Sequence, residues 1–141
     1  MNRPPPIEGL IGCSRPVTGL DERYVVKHFL GKTQADARKM YPSGGLHLTE
    51  DFTYMASDGL RYYLAPALDY LRDEESADDW EFCHGLISSL SCQFGFGTRP
   101  ASDVVALIRE IARYCDSHRE KVGLGPHEDL FNGYLQKILA T

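Results

Sequence analysis

Three parts of this sequence carry residue types able to do chemistry: a run of acids, an Arg-Tyr-Tyr cluster, and scattered cysteines and histidines. Between Asp69 and Glu81 lie seven acids against the single base Arg72, so that segment is −6 in a chain of −5 and the remainder is +1. Asp73, Glu74, Glu75, Asp78 and Asp79 form its centre and Trp80 borders it. Concentrated negative charge suits a basic protein surface, because opposite fields speed encounter and fix register. Arg61 and Tyr62 are of the types that anchor interfaces. Tyr63 falls on an apolar stripe and reads as packing. The candidate partner-binding set is therefore Asp73, Glu74, Glu75, Asp78, Asp79, Trp80, Arg61 and Tyr62.

Other chemistries find no frame. Structural zinc needs about four converging ligands at paired spacings. Cys115 and His118 stand one helical turn apart, but no second pair accompanies them. Cys83 and His84 are neighbours, and adjacent helical residues point about 100° apart. Cys83 also sits on an apolar seam, where a thiol is inert. His28, His47 and His127 are isolated and read as surface or capping residues. Gly95-Phe96-Gly97-Thr98 lacks the strand, third glycine and lysine of a phosphate loop. Ser88, Ser89 and Ser91 are outside a Gly-x-Ser-x-Gly frame. No metal, cofactor or catalytic set is expected.

With 141 residues, 43% apolar and 25% charged, the chain has the size and composition of one globular domain. No apolar run approaches the roughly 20 residues that span a bilayer. The opening Met-Asn-Arg-Pro-Pro-Pro has no apolar leader region, which predicts a cytoplasmic protein. The four cysteines (Cys13, Cys83, Cys92, Cys115) then read as free thiols, mostly in the core. No basic block matches the acidic one, which argues against nucleic acid.

The elements that would position these residues are helical. Residues 1–6 read as a loose tail and 7–141 as a single domain, with one short helical turn at Ile7–Ile11. A helix from about Asp21 to Leu30, capped by Thr18 or Asp21, puts Val25, Val26, Phe29 and Leu30 on one face and ends at Gly31. Thr33-Gln34-Ala35-Asp36 is a capping box opening a helix to about Tyr41, before Pro42 and Gly44-Gly45. Residues 46–55 read as a short extended segment or a single turn. Leu46, Leu48, Phe52 and Tyr54 alternate as in a strand, whereas Thr49-Glu50-Asp51 suits a helix start.

Leu60, Tyr63, Leu64, Ala67, Leu68 and Leu71 form a core-facing helical stripe, which Pro66 should kink or divide. Trp80, Cys83, Ile87, Leu90 and Phe94 make a heptad-like seam over residues 77–94, broken by Gly95-Phe96-Gly97. Val104, Leu107, Ile108, Ile111 and Cys115 are the buried face of a helix from Pro100 to about Lys121, which Gly123, Gly125 and Pro126 close. Leu130, Phe131, Tyr134, Leu135 and Ile138 mark a last helix over 128–139. The expected fold class is all-α: a single-domain bundle of five or six helices.

Phe29-Leu30-Gly31-Lys32, followed by Leu60-Arg61-Tyr62-Tyr63-Leu64-Ala65-Pro66-Ala67-Leu68, resembles an uncharacterised family of small bacterial cytosolic proteins, a domain of unknown function. That family carries a Phe-x-Gly-Lys element and a Phe-Arg-Tyr-Tyr-Leu-Pro-Ala-x-Leu helix element. The likeness covers about residues 20–95. It departs at Leu60, where the family has Phe, and at Ala65, inserted before Pro66. It implies a bacterial cytosolic protein and brings no activity.

Three functions are consistent with these residues. The first is a non-enzymatic protein-binding module, such as an antitoxin-like or immunity protein, engaging a basic partner through the acidic face. The second is a small-ligand-binding protein or enzyme with a pocket lined by Tyr54, Arg61, Tyr62 and His47. The third is a homodimer subunit joined through the 80–94 seam.

Overall fold

A computed structural model describes residues 20–95, 99–122 and 127–141. The tail at 1–6, the turn at 7–11, Cys13, the Thr18 cap, and the punctuation at Phe96-Gly97, Gly123, Gly125 and Pro126 lie outside them. In chain order the helices are α1 (Leu20–Phe29), α2 (Gln34–Thr49), α3 (Ser57–Arg72), α4 (Trp80–Cys92), α5 (Ser102–Ser117), α6 (Arg119–Val122) and α7 (Glu128–Leu139). Short 3-10 turns occupy Glu50–Thr53 and Glu74–Ser76. The fold class is all-α, with no strand among the described residues.

Seven helices stand among the described residues where five or six were expected. The added one arises because the helix predicted to reach Lys121 breaks at His118. That residue leaves helical geometry (φ −125°, ψ 36°), and its Nδ1 bonds the Tyr114 carbonyl at 2.8 Å.

The capping box is present: Thr33 Oγ1 accepts from the Asp36 N–H at 3.1 Å, and an Asp36 carboxylate oxygen accepts from the Thr33 N–H at 3.0 Å. Those bonds, together with the nearby Lys32 charge, hold the Asp36 carboxyl below the usual range. The helix it opens does not end at Tyr41. It bends at Gly45 (φ 56°, ψ −152°), a conformation glycine adopts without Cβ strain, and resumes to Thr49.

The extended reading of 46–55 fails for a reason visible in the burial. Leu48, Thr49, Asp51, Phe52 and Met55 are buried while Leu46 is 37% exposed. That is helical spacing, and the even-position pattern was incidental. The alternative reading, a turn, is what residues Glu50–Thr53 form.

Pro66 does not divide α3, which runs without a break from Ser57 to Arg72. Proline has no N–H to give the carbonyl four residues back, at Tyr62. Gln34 Nε2 donates to that carbonyl at 2.8 Å instead. The side chain at the start of α2 thus replaces the bond α3 lacks, and the whole stripe from Leu60 to Leu71 stays buried.

Five helices close a ring: α2 packs on α3, α3 on α5, α5 on α7, α7 on α4, and α4 on α2. Tyr41, Tyr63, Tyr70, Phe29, Phe52, Phe82 and Phe131 fill its interior. The α2–α4 crossing is close at Gly85, where a Cβ would stand 2.1 Å from Thr49 Oγ1. Helix α1 lies outside the ring and leans on the Glu50–Thr53 turn. Cys83, Ile87 and Leu90 of the predicted seam are wholly buried in the core of a single chain, while Trp80 and Phe94 at its ends are partly buried. Leu30 and Leu130, placed inward by their stripes, are 43% and 60% exposed.

Gln34→Leu should cost about 1–3 kcal/mol, the penalty of a buried acceptor left without its donor. In a Pro66→Ala background the cost should shrink, because alanine at that position supplies the missing N–H. Denaturant unfolding of the four-member cycle measures this. Equal costs in the two backgrounds would refute the link.

Candidate functional site

Helix α1 is tied to the bundle at its C-terminal end. The Tyr63 hydroxyl reaches the carbonyls of Phe29 and Lys32, each at 2.7 Å. Burial and the neighbouring Tyr62 push this phenol up to about 12, so it remains a donor at ordinary pH. Beside that tie, His28 Nδ1 meets Asp51 Oδ2 of the Glu50–Thr53 turn at 2.5 Å. The Asp51 side chain is 5% exposed and the His28 side chain 31%. Against an ionised carboxylate, which can only accept, Nδ1 is the donor, and Nε2 is the ring nitrogen outside the pair.

The turn holding Asp51 is itself pinned from the opposite side. Gln93 Nε2 lies 2.7, 3.0 and 3.1 Å from the carbonyls of Phe52, Thr53 and Met55. These are non-helical carbonyls in a buried place, where an absent donor would be costly.

A cleft of about 290 Å³ opens between α1, the end of α2 and this turn, lined by Tyr24, His28, His47, Glu50, Asp51 and Tyr54. The Tyr24 ring lies nearly parallel to His28 at 6.0 Å. Two imidazoles, two phenols and two carboxylates thus share one space. A buried carboxylate orienting a part-exposed imidazole is the orienter-and-base half of a proton-transfer triad. These lining residues include no serine or cysteine, so the chemistry they offer is ligand binding with proton exchange, or activation of water.

Of the pocket expected from sequence, His47 and Tyr54 are in this cleft; Arg61 and Tyr62 are not. Arg61 grips Asp103 of α5 with Nε and Nη2 at 2.5 and 3.0 Å, and Asp58 with Nη1 at 2.8 Å. These carboxylates raise the guanidinium further, and the arginine lowers Asp103. The pairs are exposed and worth little to stability, but they occupy the arginine. Tyr62 is 8% exposed, and its hydroxyl accepts from the Gln34 N–H at 3.3 Å. Both make ties within the fold, Tyr62 from a buried position and Arg61 from a side chain that stays part-exposed.

The acidic run is also partly spent on the fold. Asp73 accepts from the Glu75 N–H at 2.9 Å, and Asp79 caps α4 by accepting from the Phe82 N–H at 3.2 Å. Arg38 bonds Glu75 at 2.9 Å and approaches Asp73 at 3.4 Å. The Tyr70 hydroxyl donates to Asp79, and burial together with that carboxylate raises the phenol well above its ordinary value. Glu74 and Asp78 stay exposed and outside any ion pair among the described residues. Asp78 has φ 63°, a left-handed conformation that aspartate tolerates better than most residues.

Trp80 does not stand open at the edge of that run. It stacks on His127 at 4.3 Å with 10° between the rings, and both neighbour His84. Burial, and secondarily the His127 charge, lower the His84 pKa, and its Nδ1 is buried without a hydrogen-bond partner. Cys83 and Cys115 are wholly buried with their sulfurs 3.1 Å apart. Their mutual hydrogen bond and burial push the Cys83 thiol up, away from the reactive thiolate.

Sequence reasoning missed the His28–Asp51 pair because its members are 23 positions apart. One signal was present. Asp51 shares a helical phase with Leu48, Phe52 and Met55, and an acid on an apolar face needs a partner.

No helix among the described residues is long and apolar enough to cross a membrane, and no group of three or more His, Cys, Asp or Glu residues there could hold a metal. No family model matches the chain, and no curated protein or solved structure matches it.

His84 should make stability pH-dependent. The folded state favours the neutral ring, whereas the unfolded ring protonates near its ordinary value of about 6.5. Its contribution is therefore complete above that pH and is lost as pH falls from there through the lowered folded value. The stability difference between wild type and His84→Gln, followed by urea unfolding from neutral to acidic pH, should shrink on acidification. A difference independent of pH would exclude this.

Proposed function

We propose that this protein binds a small polar ligand in the cleft beside α1, with His28 as the group that takes or gives a proton and Asp51 as its orienter. The observation that carries the reading is the 2.5 Å contact between a buried carboxylate and a part-exposed imidazole at the mouth of a cleft. A carboxylate seldom occupies a place as enclosed as that of Asp51 without a partner. Here the partner is an imidazole edge that leaves the ring's other nitrogen for a visitor. Tyr24, Tyr54, His47 and Glu50 add hydroxyl, imidazole and carboxylate groups that can read its polar atoms. The lining is a set of few, convergent polar groups of the kind that small-ligand sites use.

Diethyl pyrocarbonate, which carbethoxylates neutral imidazole, reports directly on the basic nitrogen. Peptide mass spectrometry should find His28 modified faster than His118, whose ring stacks on Tyr114 at 4.0 Å. Asp51→Asn should slow the reaction at His28 about tenfold or more, since the neutral amide neither fixes the tautomer nor supports the developing charge. Unchanged His28 reactivity in Asp51→Asn, with the fold intact, would reject the reading.

A second reading keeps the acidic face as a dock for a basic protein, as an antitoxin-like or immunity protein would use. What favours it is that Glu74 and Asp78 remain exposed and outside any ion pair among the described residues after the fold has taken Asp73, Glu75 and Asp79. Glu74→Lys with Asp78→Asn removes both carboxylates, leaves the helix caps intact and keeps at position 78 a residue that tolerates the left-handed backbone. This double variant should abolish capture of a basic partner from the native host at low salt, whereas capture equal to wild type removes this reading.

A further inference from the structure

His28 and His47 line a second hollow as well as the cleft already described. This neighbour, of about 380 Å³, is walled by Lys27, Lys32, Ser43 and Gly44 together with the two histidines. The two spaces therefore share the imidazoles as a common boundary. Their charges are segregated. Glu50 and Asp51 belong to the first hollow and no lysine does; Lys27 and Lys32 belong to the second and no carboxylate does.

Among the described residues no ion pair engages Lys27 or Lys32. Asp36, which senses the Lys32 charge, is occupied by the Thr33 N–H and hydroxyl in the capping box. Gly44 contributes no side chain to the floor, and a Cβ there would run into Leu48 at 2.4 Å. The hollow thus offers two ammonium groups and two imidazole rings, with no acid in its wall to neutralise them.

The geometry points to a phosphate monoester as the ligand: its phosphate in the second hollow between Lys27 and Lys32, its organic body passing the two histidines into the first hollow beside Tyr24 and Tyr54. This rests on the reading of the first cleft as a ligand site. A phosphate monoester brings close to two negative charges at neutral pH, matching two ammonium groups, where a carboxylate would bring one. The first hollow suits a ring or a polyol, because Tyr24 is 45% exposed for stacking and Glu50 can accept from hydroxyl or amine donors. His28 then lies at the junction, beside whichever atom links phosphate to body.

Adenosine 5′-monophosphate, inorganic phosphate and adenosine are the probes, added to the full chain at constant ionic strength in chloride. The readouts are the His28 and His47 ring proton resonances and calorimetric titration. The nucleotide and phosphate should shift both resonances, and the nucleotide should bind more tightly than phosphate. Lys27→Glu with Lys32→Glu should weaken the nucleotide about tenfold or more, with adenosine binding unchanged. Both lysines are exposed, so these substitutions leave the core untouched.

If adenosine shifts the histidines as strongly as the nucleotide and the lysine variants bind like wild type, the phosphate assignment is wrong while the cleft remains a ligand site. If chloride alone reproduces the shifts, or none of the probes acts at concentrations up to about 10 mM, the assignment is likewise wrong. Reactivity of His28 toward diethyl pyrocarbonate in Asp51→Asn then decides the cleft reading separately.

Discussion

Buried carbonyls that the helices cannot satisfy are the constraint on which this structure turns. A bundle made of ideal helices would bond its backbone internally, but this chain interrupts itself inside the core. Pro66 withdraws a donor from Tyr62, and the 3-10 turn at Glu50–Thr53 leaves carbonyls at Phe52, Thr53 and Met55. At the end of α1 the Tyr63 hydroxyl meets two more, the part-buried carbonyl of Lys32 and that of Phe29, which also accepts from the Lys32 N–H. Each is met by a long side chain from another helix or its end: Gln34, Gln93 or Tyr63. The cost of an orphaned buried acceptor makes these three residues positional determinants rather than fillers.

The candidate site follows from the same constraint. Helix α1 lies outside the closed ring but buries Val25 and Phe29 in the core, Phe29 against Phe52 and Tyr63. Tyr63 at its end and His28 on Asp51 add polar ties. The cleft lies beside these contacts, between α1, the end of α2 and the Glu50–Thr53 turn. A site built this way combines a rigid floor, set by Gln93 and the core, with a wall formed by one helix.

The same accounting explains why the acidic run is less available than its composition suggests. A helix needs an acceptor at its start, and a 3-10 turn needs one too. Asp79 and Asp73 serve those ends, and Arg38 takes Glu75. Charge that looks like a surface feature in a sequence is, at these positions, part of the backbone's own hydrogen bonding. Arg61 and Tyr62 tell a parallel story, one bound across to α5 and the other turned inward to Gln34.

The helices were legible because their cause is local. Apolar residues recurring every three or four positions from Leu60 to Leu71 bury themselves wherever the helix packs, and the Thr33 capping box needs only four residues to close. Residues 46–55 were readable two ways, since a few alternating apolar residues fit a strand and a turn alike; which of them faced the core was decided by α2 and α4 meeting at Gly85. That Pro66 would not divide α3 was not legible, because the donor that replaces its missing N–H, Gln34, comes from another helix. The cleft belongs wholly to the tertiary structure. His28 and Asp51 acquire meaning only when α1 folds back onto the turn, and a contact across 23 positions leaves no periodic trace in the chain.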